Sequence, residues 1–174
     1  MYRTRTSLAL VLAFFVWVAP GFGAEDDTSE PPKRLSAFEL GTLDLQTYSS
    51  AQRLGDRPAV ITFWRVDQEP SVRILKDLKQ LFAEDTKHEV AIVSIVAGAV
   101  ERPLVESLVK ELEIAFPVLL DPERRVYAEL GVIVSPTTWF IDRNGVVIDS
   151  YPGHRRDFLN VARVNIEFLR GKIS

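Results

Sequence analysis

Separated by three residues from the aromatic pair Phe63-Trp64, the run Gln68-Glu69-Pro70-Ser71 opens a helical pattern, with Asp67 immediately before it. These side chains could do chemistry in two ways. Asp67 and Glu69 could act as a carboxylate pair for a divalent cation or for proton transfer, but two acids at a helix start also interact with the positive end of the helix dipole and cap it. Ser71 could be a hydrolytic nucleophile with His88 or His154 as its base. A serine hydroxyl is a weak nucleophile without an adjacent base, and no Gly-x-Ser-x-Gly turn surrounds it. The simpler expectation is a first-turn serine that bonds backbone or water. Pro70 suits the first turn, where an N–H is not needed.

The elements that position these residues follow from apolar spacing. Ala59–Phe63 is a short β-rich run. Val72, Leu75, Leu78 and Phe82, joined by Ile74 and Leu81, recur at helical spacing. Val90–Val96 is a second buried strand, and Val105, Leu108, Val109 and Leu112 form the stripe of a second helix. Strand–helix–strand–helix of this length predicts right-handed crossovers and a sheet covered on both faces. Phe116–Asp121 is an extended piece, residues 123–130 a brief helix closed by Gly131, and Asp157–Leu169 a last helix. Thr137–Ile141 and Val146–Ile148 flank Asp142-Arg143-Asn144-Gly145, and Asn-Gly between β-rich runs predicts a hairpin. Near the start, Phe38–Leu40 and Leu43–Leu45 alternate like a small edge hairpin.

At the N-terminus, Arg3 and Arg5 precede an apolar run from Leu8 to Ala19, then small residues with a cleavage point after Gly23 or Ala24. That is the layout of a secretory signal peptide over residues 1–24. The run is well short of the roughly 20 apolar residues a membrane-spanning helix needs. Export to a periplasmic or other extracytoplasmic space is therefore expected, without a membrane span after cleavage; an uncleaved anchor is the alternative. Residues 25–35 are acidic and proline-bearing and read as a flexible linker, leaving 36–174 as the folded domain. Removing residues 1–24 takes two of the 21 basic residues and none of the 24 acidic ones, so the formal charge moves from −3 to −5. Without a Lys/Arg block, nucleic acid is not an expected partner.

The chain of 174 residues contains no cysteine. This excludes disulfides, a lipid-modified cysteine, thiolate metal sites and any sulfur nucleophile. With only two histidines, no metal centre and no cofactor are expected.

The local phrases, in their order, resemble the thioredoxin-like proteins of the TlpA/ResA redoxin group. Phe63-Trp64 and Pro70 match the group's pattern, with Gln68 and Ser71 standing where its two cysteines would be. Phe116-Pro117-Val118-Leu119-Leu120-Asp121 matches a second phrase. Gly131-Val132, Pro136-Thr137-Thr138, Phe140-Ile141-Asp142 and Gly145 match a third. The resemblance covers roughly residues 36–170. It implies an α/β thioredoxin-like fold, a central mixed β-sheet flanked by helices with an N-terminal β-hairpin, and a cis-proline at Pro136 facing the helix start.

In that group a helix-tip cysteine, its thiolate favoured by the helix dipole, attacks a disulfide and the second cysteine resolves the intermediate. Gln68 and Ser71 can do neither. Thiol–disulfide or peroxidase chemistry by this chain's own side chains is excluded, and no catalytic residue is expected. The resemblance further implies that Ser135, before the cis-proline, offers its backbone to an extended segment, a mode that needs no sulfur. The expected binding surface is Trp64, Asp67, Gln68, Glu69, Pro70, Ser71, Ser135 and Pro136, and the expected partner is an extended peptide or a redox-active protein. An accessory module in envelope thiol-redox or cytochrome maturation is one reading. A family member active only with a partner's cysteines is the other. In this fold Trp64 is expected near the helix tip and partly exposed, either packed or presented, with Trp139 in the core. The cluster His154-Arg155-Arg156 reads as a solvated loop.

Overall fold

The computed structural model describes residues 33–173. The expected signal peptide and residues 25–32 of the expected linker lie outside the described residues. In chain order the elements are β1 (Glu39–Thr42), β2 (Thr47–Ser49), α1 (Ser50–Arg53), β3 (Ala59–Trp64), α2 (Glu69–Glu84), β4 (Ala91–Ala97), α3 (Arg102–Glu111), β5 (Val118–Asp121), α4 (Arg125–Glu129), β6 (Thr137–Ile141), β7 (Val147–Pro152) and α5 (Phe158–Leu169).

The seven strands form one sheet in the order β2-β1-β5-β4-β3-β6-β7. The β3–β4 and β4–β5 pairs are parallel and the remaining pairs antiparallel. The sheet is mixed, as expected. β3 is buried along its whole length, because successive side chains go to opposite faces and both faces are covered. Val60 and Trp64 join Ile74, Leu75 and Leu78 of α2 and Phe158 and Ala162 of α5 on one face. Ala59, Ile61 and Phe63 join Val126 and Tyr127 of α4 and Trp139 on the other. Thr62, the polar residue in this central strand, is satisfied across the sheet by the Thr138 hydroxyl at 2.8 Å.

Three expectations are corrected. The edge hairpin pairs Glu39–Gly41 with Thr47–Ser49, so Leu43–Leu45 is its turn rather than its second arm. The Thr42 hydroxyl accepts from the Gln46 N–H, and Leu45 takes φ 65° and points outward; a polar clasp outweighs an alternating pattern only three residues long. The folded domain begins before residue 36. The Lys33 carbonyl accepts from Val147 N–H, the Leu35 N–H donates to the Gly145 carbonyl, and the Lys33 ammonium lies 4.2 Å from the Trp139 ring centre. Finally, His154-Arg155-Arg156 is not simply solvated. His154 Nε2 is 2.8 Å from Asp77 Oδ2, and Arg155 lies over the Tyr151 ring.

The β6–β7 hairpin forms as expected, with a longer loop than Asn-Gly alone implies. Asp142 accepts from the N–H groups of Asn144 and Val146, and Gly145 takes φ 76°, a value that glycine reaches without a Cβ clash.

Candidate functional site at the α2 tip and the proline bend

Parallel pairing carries β3 and β4 in the same direction, so the loops after Trp64 and Ala97 leave one end of the sheet. Antiparallel pairing sets Phe63 opposite Thr137, which puts the bend before β6 beside the loop after β3. The Ser135–Pro136 peptide bond in that bend is cis. The helix tip and the proline bend are therefore neighbours, as the resemblance implied.

Gln68 is the N-cap of α2, with extended backbone and no side-chain capping bond. The expected capping by Asp67 or Glu69 does not occur. Asp67 takes a two-pronged hydrogen bond from Arg65, at 3.0 and 2.7 Å, and that bond holds its carboxyl below the usual range. Glu69 pairs with Arg73 one turn along the helix. Each acid already has a guanidinium partner, so the pair presents no shared carboxylate site. Pro70 occupies the first turn. Ser71 is fully buried and its hydroxyl accepts from the Arg65 N–H at 3.3 Å. Neither histidine is bonded to it: His154 faces Asp77, and His88 stacks on Phe82. Ser71 closes the β3–α2 loop and lacks the base a nucleophile needs.

Of the predicted surface, Asp67, Glu69 and Pro70 are exposed, Gln68 and Ser135 are half-buried, and Trp64, Ser71 and Pro136 are buried. Trp64 is the clearest correction. It lies on the same face of β3 as Val60, beneath α2 and α5, so its ring belongs to the core and cannot meet a partner. Trp139 is buried as expected.

Five buried side-chain polar atoms lack a hydrogen-bond partner among the described residues, and three of them belong to this junction: Trp64 Nε1, Gln68 Oε1 and Ser135 Oγ. Leaving such a group unpaired costs about 1–3 kcal/mol. Ser135 is also unpaired along its backbone. Its neighbours are engaged, the Val134 carbonyl by the Thr137 hydroxyl at 2.8 Å and the Pro136 carbonyl by the Gly153 N–H at 2.7 Å. The Ser135 N–H and carbonyl have no protein partner among the described residues.

Two features escaped the sequence. Tyr127, from α4, donates its buried hydroxyl to the carbonyls of Trp64 and Ile95, at 2.9 and 3.0 Å, and its ring meets Phe63 edge-on. Burial and the Asp121 carboxylate push its phenol above the ordinary range, so it stays a neutral donor and ties β3, β4 and α4 together under the site. Nothing in its spacing marked it. The second feature is the pair Ile133 and Val134, 93% and 51% exposed beside the bend; two consecutive β-branched apolar residues after Gly131-Val132 were the available signal.

Comparison with known proteins agrees with this frame. Among curated relatives, thiol-disulfide oxidoreductase ResA of Bacillus thuringiensis subsp. konkukian is 26% identical over 155 residues, covering 89% of this chain and 88% of its own length. ResA of Geobacillus thermodenitrificans is 29% identical over 145 residues, covering 83% and 82%. Among solved structures, a thiol:disulfide interchange protein DsbE from Chlorobium tepidum superposes with a TM-score of 0.72 at 20% identity, covering 79% of this chain and 96% of that one. StoA from Bacillus subtilis does so at 0.65 and 18%, covering 78% and 100%. These likenesses establish the thioredoxin-like fold. The AhpC/TSA family model matches residues 32–150, and the chain, a redoxin without cysteine, belongs to that family.

Proposed function

We propose that this protein is an exported, cysteine-free redoxin that grips an extended segment of another protein, in an envelope thiol-redox or cytochrome-maturation setting, without reacting with it. The observation that carries the reading is the backbone N–H and carbonyl of Ser135, which have no partner among the described residues, beside the cis bend and the exposed Ile133–Val134 pair. An extended segment laid along Ser135 gains main-chain hydrogen bonds, each contributing about 0.5–1.5 kcal/mol, and covers apolar surface. Gln68 replaces a reactive sulfur with an unreactive amide. Export rests on the charged, apolar and small-residue succession of residues 1–24.

The test is site-specific photo-crosslinking from Gln68 in the exporting cell, with a second probe at exposed Asn160 on α5. The reading predicts a product unique to the Gln68 probe and lost in Ile133→Asp with Val134→Asp. Identical products from both probes, or a product indifferent to those substitutions, would remove the case for a binding face. An α2 N-terminus without a side-chain cap also favours a second reading, in which the helix dipole steadies a partner's thiolate. That reading predicts that this protein changes the disulfide-reduction rate of a cysteine-bearing relative.

A further inference from the structure

The opposite end of the sheet carries a notch. β5 begins at Val118, which pairs with Ser94, so Ala91, Ile92 and Val93 at the start of β4 have no strand on that side. β1 meets β5 only at Gly41 and Thr42, and the chain then turns through Leu43–Gln46 into β2. Between the hairpin and the bare start of β4 lies a cavity of about 670 Å³, within the usual range for small-molecule sites.

Its lining divides by chemistry. Phe82, Val109, Phe116 and Val118 make an apolar wall, with Phe116 edge-on to Phe82. Arg53, Arg57 and Tyr48 stand on the polar side. Both guanidiniums are exposed, and neither has a carboxylate partner among the described residues, although the chain's other arginines are widely paired. Arg57 is steadied by donating to the His88 carbonyl at 3.3 Å. Tyr48 is largely buried, and its hydroxyl makes no hydrogen bond to the described residues. Burial raises its phenol, the fields of Arg57 and Arg53 pull against that rise, and all three residues line the same cavity. The one acid on the lining, Asp44, is engaged by the Thr42 hydroxyl.

We propose that this notch binds an amphipathic monocarboxylate, its apolar chain against Phe82, Val109, Phe116 and Val118 and its carboxylate held by Arg53, Arg57 and the Tyr48 hydroxyl. A guanidinium pair with a phenol donor matches a carboxylate's acceptor-only oxygens. The site is separate from the α2 tip and does not depend on the function proposed there.

The test is calorimetric titration with decanoate, below its micellar concentration, alongside decanol and acetate. Decanoate is expected to bind, with decanol and acetate at least about tenfold weaker, since charge-assisted bonds and apolar burial both contribute. Arg53→Gln with Arg57→Gln should weaken decanoate roughly 10- to 100-fold at an unchanged melting temperature, because both side chains are exposed. Tyr48→Phe should weaken it about fivefold, and Gln68→Ala should leave it unchanged. Equal affinity for decanoate and decanol, an indifferent double-arginine variant, or no decanoate binding would each overturn the proposal.

Discussion

The two ends of α2 are built to opposite specifications. At the C-terminal end Asp85 is buried and its oxygens take the N–H groups of Val90 and Glu89, at 3.0 and 3.3 Å, together with the Arg170 guanidinium at 2.8 Å. At the N-terminal end the cap residue makes no side-chain capping bond, its amide oxygen is orphaned, and the acids on either side bond arginines instead of the helix. One end is closed for stability. The other end carries a cap residue that leaves the first turn without a side-chain bond, as the binding proposed at this tip requires.

The largest effect that probes this contrast belongs to the closed end. Burial alone would raise the Asp85 carboxyl, but the Val90 and Glu89 N–H groups and Arg170 bring it below its ordinary value. A depressed carboxyl contributes stability above its unfolded pKa and loses it as pH falls through the folded one. Asp85→Asn should therefore cost on the order of 3 kcal/mol at pH 7. The gap to wild type should close only below about pH 4, as denaturant unfolding at both pH values would register. A gap unchanged in acid would mean that Asp85 does not act through its charge.

Tyr127→Phe comes next. It strips the shared donor from the Trp64 and Ile95 carbonyls and should cost about 1–2 kcal/mol, seen as a lower denaturation midpoint with an unchanged slope. The smallest effect has the opposite sign. Gln68→Asp supplies the missing cap and should stabilise by about 0.5–1 kcal/mol, read as a higher denaturation midpoint. A destabilised Gln68→Asp would show that the tip is already optimised for folding.

How much of this was legible in the sequence differs between frame and site. The strands and long helices were visible because apolar periodicity runs over many residues, as in β3, α2 and α5. The proline bend was visible because its phrase is specific. Leu43–Leu45 misled because three residues of alternation carry less than the Thr42–Gln46 clasp. Trp64 misled because its exposure depends on α2 and α5 closing over it, a long-range fact. The unpaired backbone of Ser135 and the reach of Tyr127 are properties of tertiary placement, with no spacing to announce them. The α1 turn (Ser50–Arg53) was missed for the opposite reason, since four polar or small residues carry no period at all.

We propose that Gln68 and Ser71 occupy the positions of a dithiol pair, so that only sulfur separates this chain from a redox centre. Insulin disulfide reduction, with dithiothreitol as the electron source, is to be compared between wild type and Gln68→Cys with Ser71→Cys. Wild type should not accelerate the reaction above buffer. The double variant should accelerate it, with a helix-tip thiol of pKa below the roughly 8.5 of free cysteine. Turnover by wild type, or a double variant no faster than buffer, would contradict the account.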